Sequence, residues 1–328
     1  MKIELKELEA LTTKALINYG YDDNEAAIIR DMLLYAQLRG NNQGVVKLIG
    51  KGIPKDPGAK DITIEKETAL SVKINGNQNQ AMLVVKKALD VVLEKAKAHG
   101  IGIAGTYNTS TSSGAIGYVA SEIAEKGLIG LVFASSPPRV ATAGSFQPIF
   151  GTNPIAVGIP AKPSPIILDM STAAMAFYGL VEAQTAGKKI PDDVAYGPAG
   201  EPTCEPSEAI KGAIRSFDRG YKGAGLALII EILAGPLVGA ACVGVGEPAR
   251  NWGHLVLAID PNLFGDREAF IGDVTTLIEK VKSTQKLPGV DEIFVPGERG
   301  NHQAAEIRAS GMIEVEDNLL AELRKAAG

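Results

Sequence analysis

Arg39-Gly-Asn-Asn-Gln-Gly-Val-Val-Lys-Leu48 closes an amphipathic helical run and delivers the chain into a polar loop. The run before it extends from about Asp23 to Arg39. Acidic residues fill its first turn and Gly40 stands just past its end, both signals of a helix with defined limits. An earlier helix is marked by Leu5, Leu8, Leu11 and Leu16 at helical spacing and is stopped by Gly20. The quoted stretch therefore hangs from a helical start to the chain, carrying the amide of Gln43 and the charge of Lys47.

Working outward, residues 49–79 hold Gly, Pro and short alternating runs such as Leu70–Ile74, which read as loop and edge strand. Ala81 to Ala98 is a long helix stopped by Gly100. A strand (Ile101–Tyr107), a Ser/Thr-rich loop (Asn108–Ser113), a helix (Ala115–Lys126) and a strand (Leu128–Ala134) follow. Further strands are expected at Ile155–Ile159, Ile166–Leu168 and Val256–Ile259. Helices are expected at Thr172–Thr185, Gly223–Leu233, Arg267–Ser283 and Asn318–Ala326, with a Pro/Gly-rich loop at Pro191–Pro206. No internal repeat divides the chain.

Composition narrows the function classes. The 328 residues are 45% hydrophobic and 22% charged, ordinary for a globular protein. A net charge of −5 leaves no basic excess to neutralise phosphates, which argues against nucleic acid as a partner. Cys204 and Cys242 lack metal spacing and suit a reducing cytoplasm. Gly223 to Gly246 carries a single charge, Glu231, over a length that can span a bilayer. Pro236 and several glycines interrupt it, so a buried helix followed by a strand is expected, with no membrane partner.

The loop Asn108-Thr-Ser-Thr-Ser-Ser-Gly-Ala-Ile-Gly117 lies between a strand and a helix. Its glycines permit close backbone approach, and the helix start offers unpaired N–H groups to a polar ligand. Such a turn also simply caps a helix. It lacks the full G-x-G-x-x-G spacing, so a Rossmann fold is not supported. Asp169 at a strand end can cap the helix that follows, Gly151–Pro154 can be turn chemistry, and Glu298 can be a surface charge. Of the three histidines, His99 suits a helix C-terminus, His254 a structural strand position, and His302 a polar loop. No Ser-His-Asp set, carboxylate pair or metal cluster emerges, and no metal is expected.

Several motifs together resemble the malate/L-lactate dehydrogenase family, the sulfolactate dehydrogenase-like group of nicotinamide enzymes. Arg39–Leu48 resembles its Arg-Gly-x-Asp-Ser-His-Gly-x-x-Arg-Leu signature, with Gln43 at the histidine and Lys47 at the second arginine. Ser110–Tyr118 resembles Ser-Asn-His-Phe-Gly-x-x-Gly-Tyr, with Ser112 at the histidine. Gly151-Thr-Asn-Pro154, Leu168–Thr172, Gly220-Tyr-Lys-Gly223, Asn251–Leu255 and Val295-Pro-Gly-Glu298 match further segments in order.

The resemblance implies a mixed α/β architecture without a Rossmann domain. A helical lobe from both chain ends (1–55 with 265–328) would flank a cofactor-binding sheet lobe (56–264). It implies a cofactor site at Gly114, Gly117, Asn153, Asp169, Met170, Ser171, Thr172, Lys222, Gly297 and Glu298. The substrate side would hold Gln43, Lys47, Ser112 and Lys222, with NADP or NAD as cofactor and a leaning to NADP. A homodimer is expected.

Reduction of a ketone needs a proton donor, and Gln43 cannot be one. Lys47 can pair with a substrate carboxylate as a point charge; if desolvated, Lys47 or Lys222 can serve as the acid, with Tyr118 or Tyr221 as weaker candidates. A cyclic imine already carries its proton when protonated. The expected function is hydride transfer from NAD(P)H to a small 2-oxo acid or cyclic imine, the alternative being a cofactor-binding paralogue without turnover.

Overall fold

The two chain ends meet. In the computed structural model, which describes residues 1–50, 52–243 and 251–328, the strand Lys2–Glu4 pairs antiparallel with Met312–Glu314. The Met1 ammonium donates to Val315 O at 2.7 Å and Asp317 Oδ1 at 2.6 Å. The Leu5–Asn18 helix packs along the C-terminal Asp317–Ala327 helix, burying Leu8 and Leu16 on one side and Leu320 and Leu323 on the other. A reciprocal capping box between Asp22 and Glu25 starts the Asp23–Leu38 helix and satisfies two orphan donors. Past its end, Arg39 stacks on Tyr35 at 3.7 Å and donates from Nε to Asn301 Oδ1 at 3.1 Å. The signature arginine thus ties the start of the chain to the helix Glu298–Ser310.

That helix is absent from the sequence reading. Its face is almost wholly polar, with only Ala304 buried, so the apolar period that marks a helix is missing.

Seven strands form the main sheet, in the order Thr63–Glu67, Ser71–Asn75, Ile101–Thr109, Trp252–Ile259, Ile129–Ala134, Ile155–Ile159, Ile166–Met170. One neighbouring pair is parallel, Ser71–Asn75 with Ile101–Thr109. The Ala81–His99 helix makes the crossover that such a pair requires. All other neighbours run antiparallel, which is not a Rossmann arrangement. The helices Ala81–His99 and Gly117–Ala124 pack on the sheet, and Tyr221–Ala234 packs against its Ile129–Ala134 and Trp252–Ile259 strands.

One apolar core runs from Leu8, Leu16 and Leu33 in the first two helices to Leu89, Ile123, Val132 and Val256 beneath the sheet. Each such side chain fully buried contributes about 1.5–3 kcal/mol. A smaller core of Val140, Phe150, Leu180, Ile190, Val194 and Ile214 holds a second, four-stranded sheet, ordered Ala195–Tyr196, Ala213–Ile214, Val140–Ala141, Pro148–Phe150. Its strands are two or three residues long, too short for any alternation to show in the sequence.

Tyr221–Val238 is the one segment among the described residues long and apolar enough to cross a membrane. It buries Gly223, Ala224, Ala227, Ile230, Glu231 and Ala234 on one side and exposes Leu228, Ile229 and Ile232 on the other, so the helix expected to be buried is buried on one face only. Residues 244–246, the end of the stretch weighed above as a span, lie outside the described residues.

Candidate active site

Between the main sheet and the smaller one lies a cavity of about 380 Å³. Its walls bring together Gln43, the loop Ser110–Ile116, Asp169, Ser171, Phe177, Tyr178 and Trp252. Segments far apart in sequence meet here, as the family motifs imply.

Lys47 sits on the short 3-10 turn Val45–Leu48 and is 1% exposed, the largest fully buried side chain among the described residues. Its Nζ donates to Ser112 Oγ at 2.9 Å and lies 3.7 Å from the centre of the Tyr178 ring. No carboxylate pairs with it among the described residues, and burial pushes its pKa well below that of a solvated lysine. Lys47 does not line the cavity: Ser112 and Tyr178 stand in front of it. Direct pairing of Lys47 with a substrate carboxylate, expected from the sequence, is therefore corrected by the geometry, because the ammonium is already spent on Ser112 and an aromatic face.

Ser112 Oγ also accepts the Gly114 N–H at 3.3 Å. With two donors directed at this oxygen, its own O–H is free to turn to the cavity. Gln43 lines the same space, its backbone N–H held by Asn41 Oδ1 at 3.0 Å.

Across the cavity, Asp169 Oδ2 accepts the Gly117 N–H at 2.9 Å. The carboxylate thus meets the first turn of Gly117–Ala124, where the helix dipole favours it, and not the helix that follows it in sequence. Burial nevertheless pushes its pKa up to about 6. Gly117 is needed for this approach: a Cβ there would lie 2.7 Å from Asp169 Oδ2.

The remaining cofactor-side residues divide. Gly114 and Ser171 line the cavity. Thr172 Oγ1 donates to Thr152 O at 3.0 Å and Asn153 O at 3.1 Å, and Ser171 Oγ also donates to Thr152 O. These bonds keep 171–176 irregular, so the helix expected from Thr172 begins at Phe177. Asn153 is buried and donates from Nδ2 to Glu231 Oε2 at 2.6 Å and to Ala227 O at 3.0 Å. Glu231 thereby fixes the Gly151–Pro154 turn, a role its sequence position did not suggest.

Met170 ends the edge strand without lining the cavity. Gly297 takes φ +88 and packs on the backbone of Ile167, and Ile167 N donates to Pro296 O at 3.0 Å, so the Pro-Gly-Glu loop folds onto that strand. Glu298 itself turns to Lys282 and the Val295 N–H, away from the cavity lining. Lys222 and Tyr221 are exposed at the start of their helix and do not line the cavity either. The desolvated Lys222 considered above is thus corrected: its head stands in solvent. Tyr118 stacks edge-on with Tyr35 at 5.5 Å, outside the lining. His254 is buried with Nδ1 2.8 Å from Thr106 Oγ1, its pKa lowered by burial to about 3, and is neutral.

Three residues not named as site residues from the sequence complete the walls, two of them, Ser110 and Thr111, in the loop it pointed to. Ser110 Oγ and Thr111 Oγ1 are buried at the cavity without a hydrogen-bond partner. Such orphaned hydroxyls cost about 1–3 kcal/mol each unless a ligand satisfies them. Arg139 also lines the cavity, its guanidinium 4.4 Å from the centre of the Phe177 ring. A nicotinamide cofactor fits these walls: two free hydroxyls, Ser110 Oγ and Thr111 Oγ1, and the Asp169 carboxylate, whose Oδ1 is open to a ribose hydroxyl.

The family model for malate/L-lactate dehydrogenase matches residues 3–324. The chain belongs to the malate/L-lactate dehydrogenase family. It is 36% identical to the malate/(S)-sulfolactate dehydrogenase of Methanothermus fervidus, over all of this chain and 97% of the relative. It is 31% identical to the delta(1)-pyrroline-2-carboxylate reductase 2 of Burkholderia multivorans, over 80% of each. The malate dehydrogenase structure from Pyrococcus horikoshii superposes with a TM-score of 0.88 at 29% identity, covering all of this chain and 94% of the other. Membership makes this protein a nicotinamide-dependent oxidoreductase.

Proposed function

We propose that this enzyme reduces the C=O or C=N bond of a small 2-oxo acid or cyclic imino acid, with NADPH as the first cofactor to try and NADH the second. The observation that carries the reading is the buried Lys47–Ser112 pair at the cavity wall. When bound, the cofactor supplies hydride. The chain's own task is the proton. Ser112 presents its O–H to the developing oxyanion and is reprotonated by the Lys47 ammonium behind it. Burial makes that ammonium a far stronger acid than an ordinary lysine. Gln43, an amide donor on the same wall, orients the carbonyl or imine without exchanging protons.

The names of the relatives span both acceptor types, a hydroxy-acid dehydrogenase and a cyclic-imine reductase. Neutral side chains at Gln43 and Ser112 favour an imine, whose nitrogen arrives protonated and asks less of the acid. Purified protein assayed for NAD(P)H oxidation with a panel of 2-oxo acids and cyclic imines tests this. Turnover of at least one member is expected; cofactor binding with no turnover across the panel indicates the binding paralogue instead.

We further propose a cytoplasmic homodimer. The Tyr221–Ala234 helix and the turn after it expose Leu228, Ile229, Ile232 and Leu237, an apolar row that supports burial against a second copy.

A further inference from the structure

We propose that Arg139 is the anion anchor of the cavity and holds the carboxylate of the acceptor. This deepens the reductase reading above and rests on it. Among the described residues lining the cavity, Arg139 is the only cation. The other cation of the site, Lys47, lies behind Ser112 and Tyr178 and is spent there. The Arg139 guanidinium has no ion pair and no hydrogen bond among the described residues. Asp169, which shares the cavity, is occupied by Gly117 N.

The residue is built for the purpose. Its backbone is pinned on both sides, Arg139 N donating to Phe150 O at 2.7 Å and Ile214 N donating to Arg139 O at 2.8 Å. The side chain therefore projects from the small sheet and not from a free loop. Stacking on Phe177 covers one face of the guanidinium and leaves its edge of N–H donors for a ligand. A planar fork is the group that binds a carboxylate bidentately.

Its position favours the acceptor as the source of the anion. Phe177 meets Tyr178 edge-on at 6.0 Å, and Tyr178 covers Lys47. Arg139 thus belongs to the wall that carries the Lys47–Ser112 pair. In a 2-oxo acid or a cyclic 2-imino acid the carboxylate is bonded to the carbon that is reduced, so anchor and proton donor must stand on neighbouring side chains. A phosphate of the cofactor has the same charge chemistry, and the experiment separates the two.

The test uses the full chain loaded with NADPH and two non-reducible probes, oxamate and pyrrole-2-carboxylate, titrated by calorimetry against wild type, Arg139→Met and Arg139→Lys. NADPH binding is followed separately by fluorescence, and thermal melting checks that each variant folds. The expected result is that at least one probe binds wild type and binds Arg139→Met roughly 10- to 100-fold more weakly, the loss of one charge-assisted contact. Partial recovery in Arg139→Lys and an NADPH affinity changed by less than about twofold complete the expectation. A fall in NADPH affinity with probe binding unchanged assigns the anion to the cofactor and overturns the proposal. So does unchanged binding of everything, or failure of both probes to bind wild type. Because these are binding measurements, absence of turnover in the panel assay would sink the reductase reading and leave the assignment of Arg139 standing.

Discussion

Lys47 Nζ and Ser112 Oγ, 65 positions apart in the chain, lie 2.9 Å from each other in a pocket closed by the Tyr178 ring. In the proposed mechanism the buried Lys47 is the acid and Ser112 is its outlet to the cavity. Removing that outlet with Ser112→Ala is expected to lower kcat for a 2-oxo acid by about 10²-fold, the lower range for loss of an acid catalyst. Cofactor affinity should hold if Ser112 serves the acceptor as proposed. Steady-state kinetics beside a fluorescence titration of the cofactor checks both. An equal loss of cofactor binding would show that Ser112 belongs to the other side of the site.

Asp169 gives a pH signature in the ligand-free protein. Burial raises its pKa from 3.8 to about 6, so the folded state holds the proton over a range where the unfolded state has released it. Stability from this group is fully present below about pH 4 and is lost as pH rises through about 6. In Asp169→Asn the loss disappears. Urea midpoints at pH 4 and pH 7 should therefore show the variant gaining on wild type at the higher pH. A gap that does not change with pH contradicts the assignment.

Gly117→Ala puts a methyl group 2.7 Å from Asp169 Oδ2. Either the carboxylate or the helix start must move, at a cost of about 1–3 kcal/mol. Thermal melting should show the destabilisation, and calorimetry a loss of cofactor affinity of roughly tenfold or more. Melting and affinity both at wild-type values would mean that the close approach has no bearing on the site.

Assembly is tested by charge. Leu228→Asp combined with Ile232→Asp places two carboxylates on exposed positions of the Tyr221–Ala234 helix. Light scattering should report a dimer for wild type and a monomer for the double variant, because uncompensated charge in an apolar interface is costly. A wild type that scatters as a monomer removes the dimer from the account.

What the sequence made legible was the frame. The resemblance carried by the motifs implied a substrate side at Gln43 and Ser112 and a cofactor side at Gly114, Asp169 and Ser171, and these five residues line one cavity. The apolar spacing of Leu5, Leu8, Leu11 and Leu16 marked the first helix, and the resemblance to the family implied that both chain ends join in one helical lobe. Three things were out of reach. The direction of the Lys47 side chain depends on a four-residue 3-10 turn, and no pattern in the chain says that this turn aims a charge inward. Glu298–Ser310 lacks an apolar stripe because it buries only Ala304. Arg139 follows two prolines in a segment without periodicity, and its significance comes from Phe177, which is 38 positions away. Lys222 illustrates the converse: its motif was plain, and the chain places its head in solvent.

The central claim is that Lys47 provides the proton, and Lys47→Met tests it most directly. Methionine fills similar volume and removes a buried charge, so the variant should melt at or above the wild-type temperature. The measurement is the pH dependence of kcat for the best 2-oxo acid in the panel, whose alkoxide needs the proton, in the direction of NAD(P)H oxidation. For wild type the rate should fall as pH rises through the lowered pKa of Lys47, because only the protonated amine can donate. In Lys47→Met kcat should drop by about 10²-fold or more and lose that alkaline limb. A folded Lys47→Met enzyme that turns over at the wild-type rate, with the limb intact, would contradict the account.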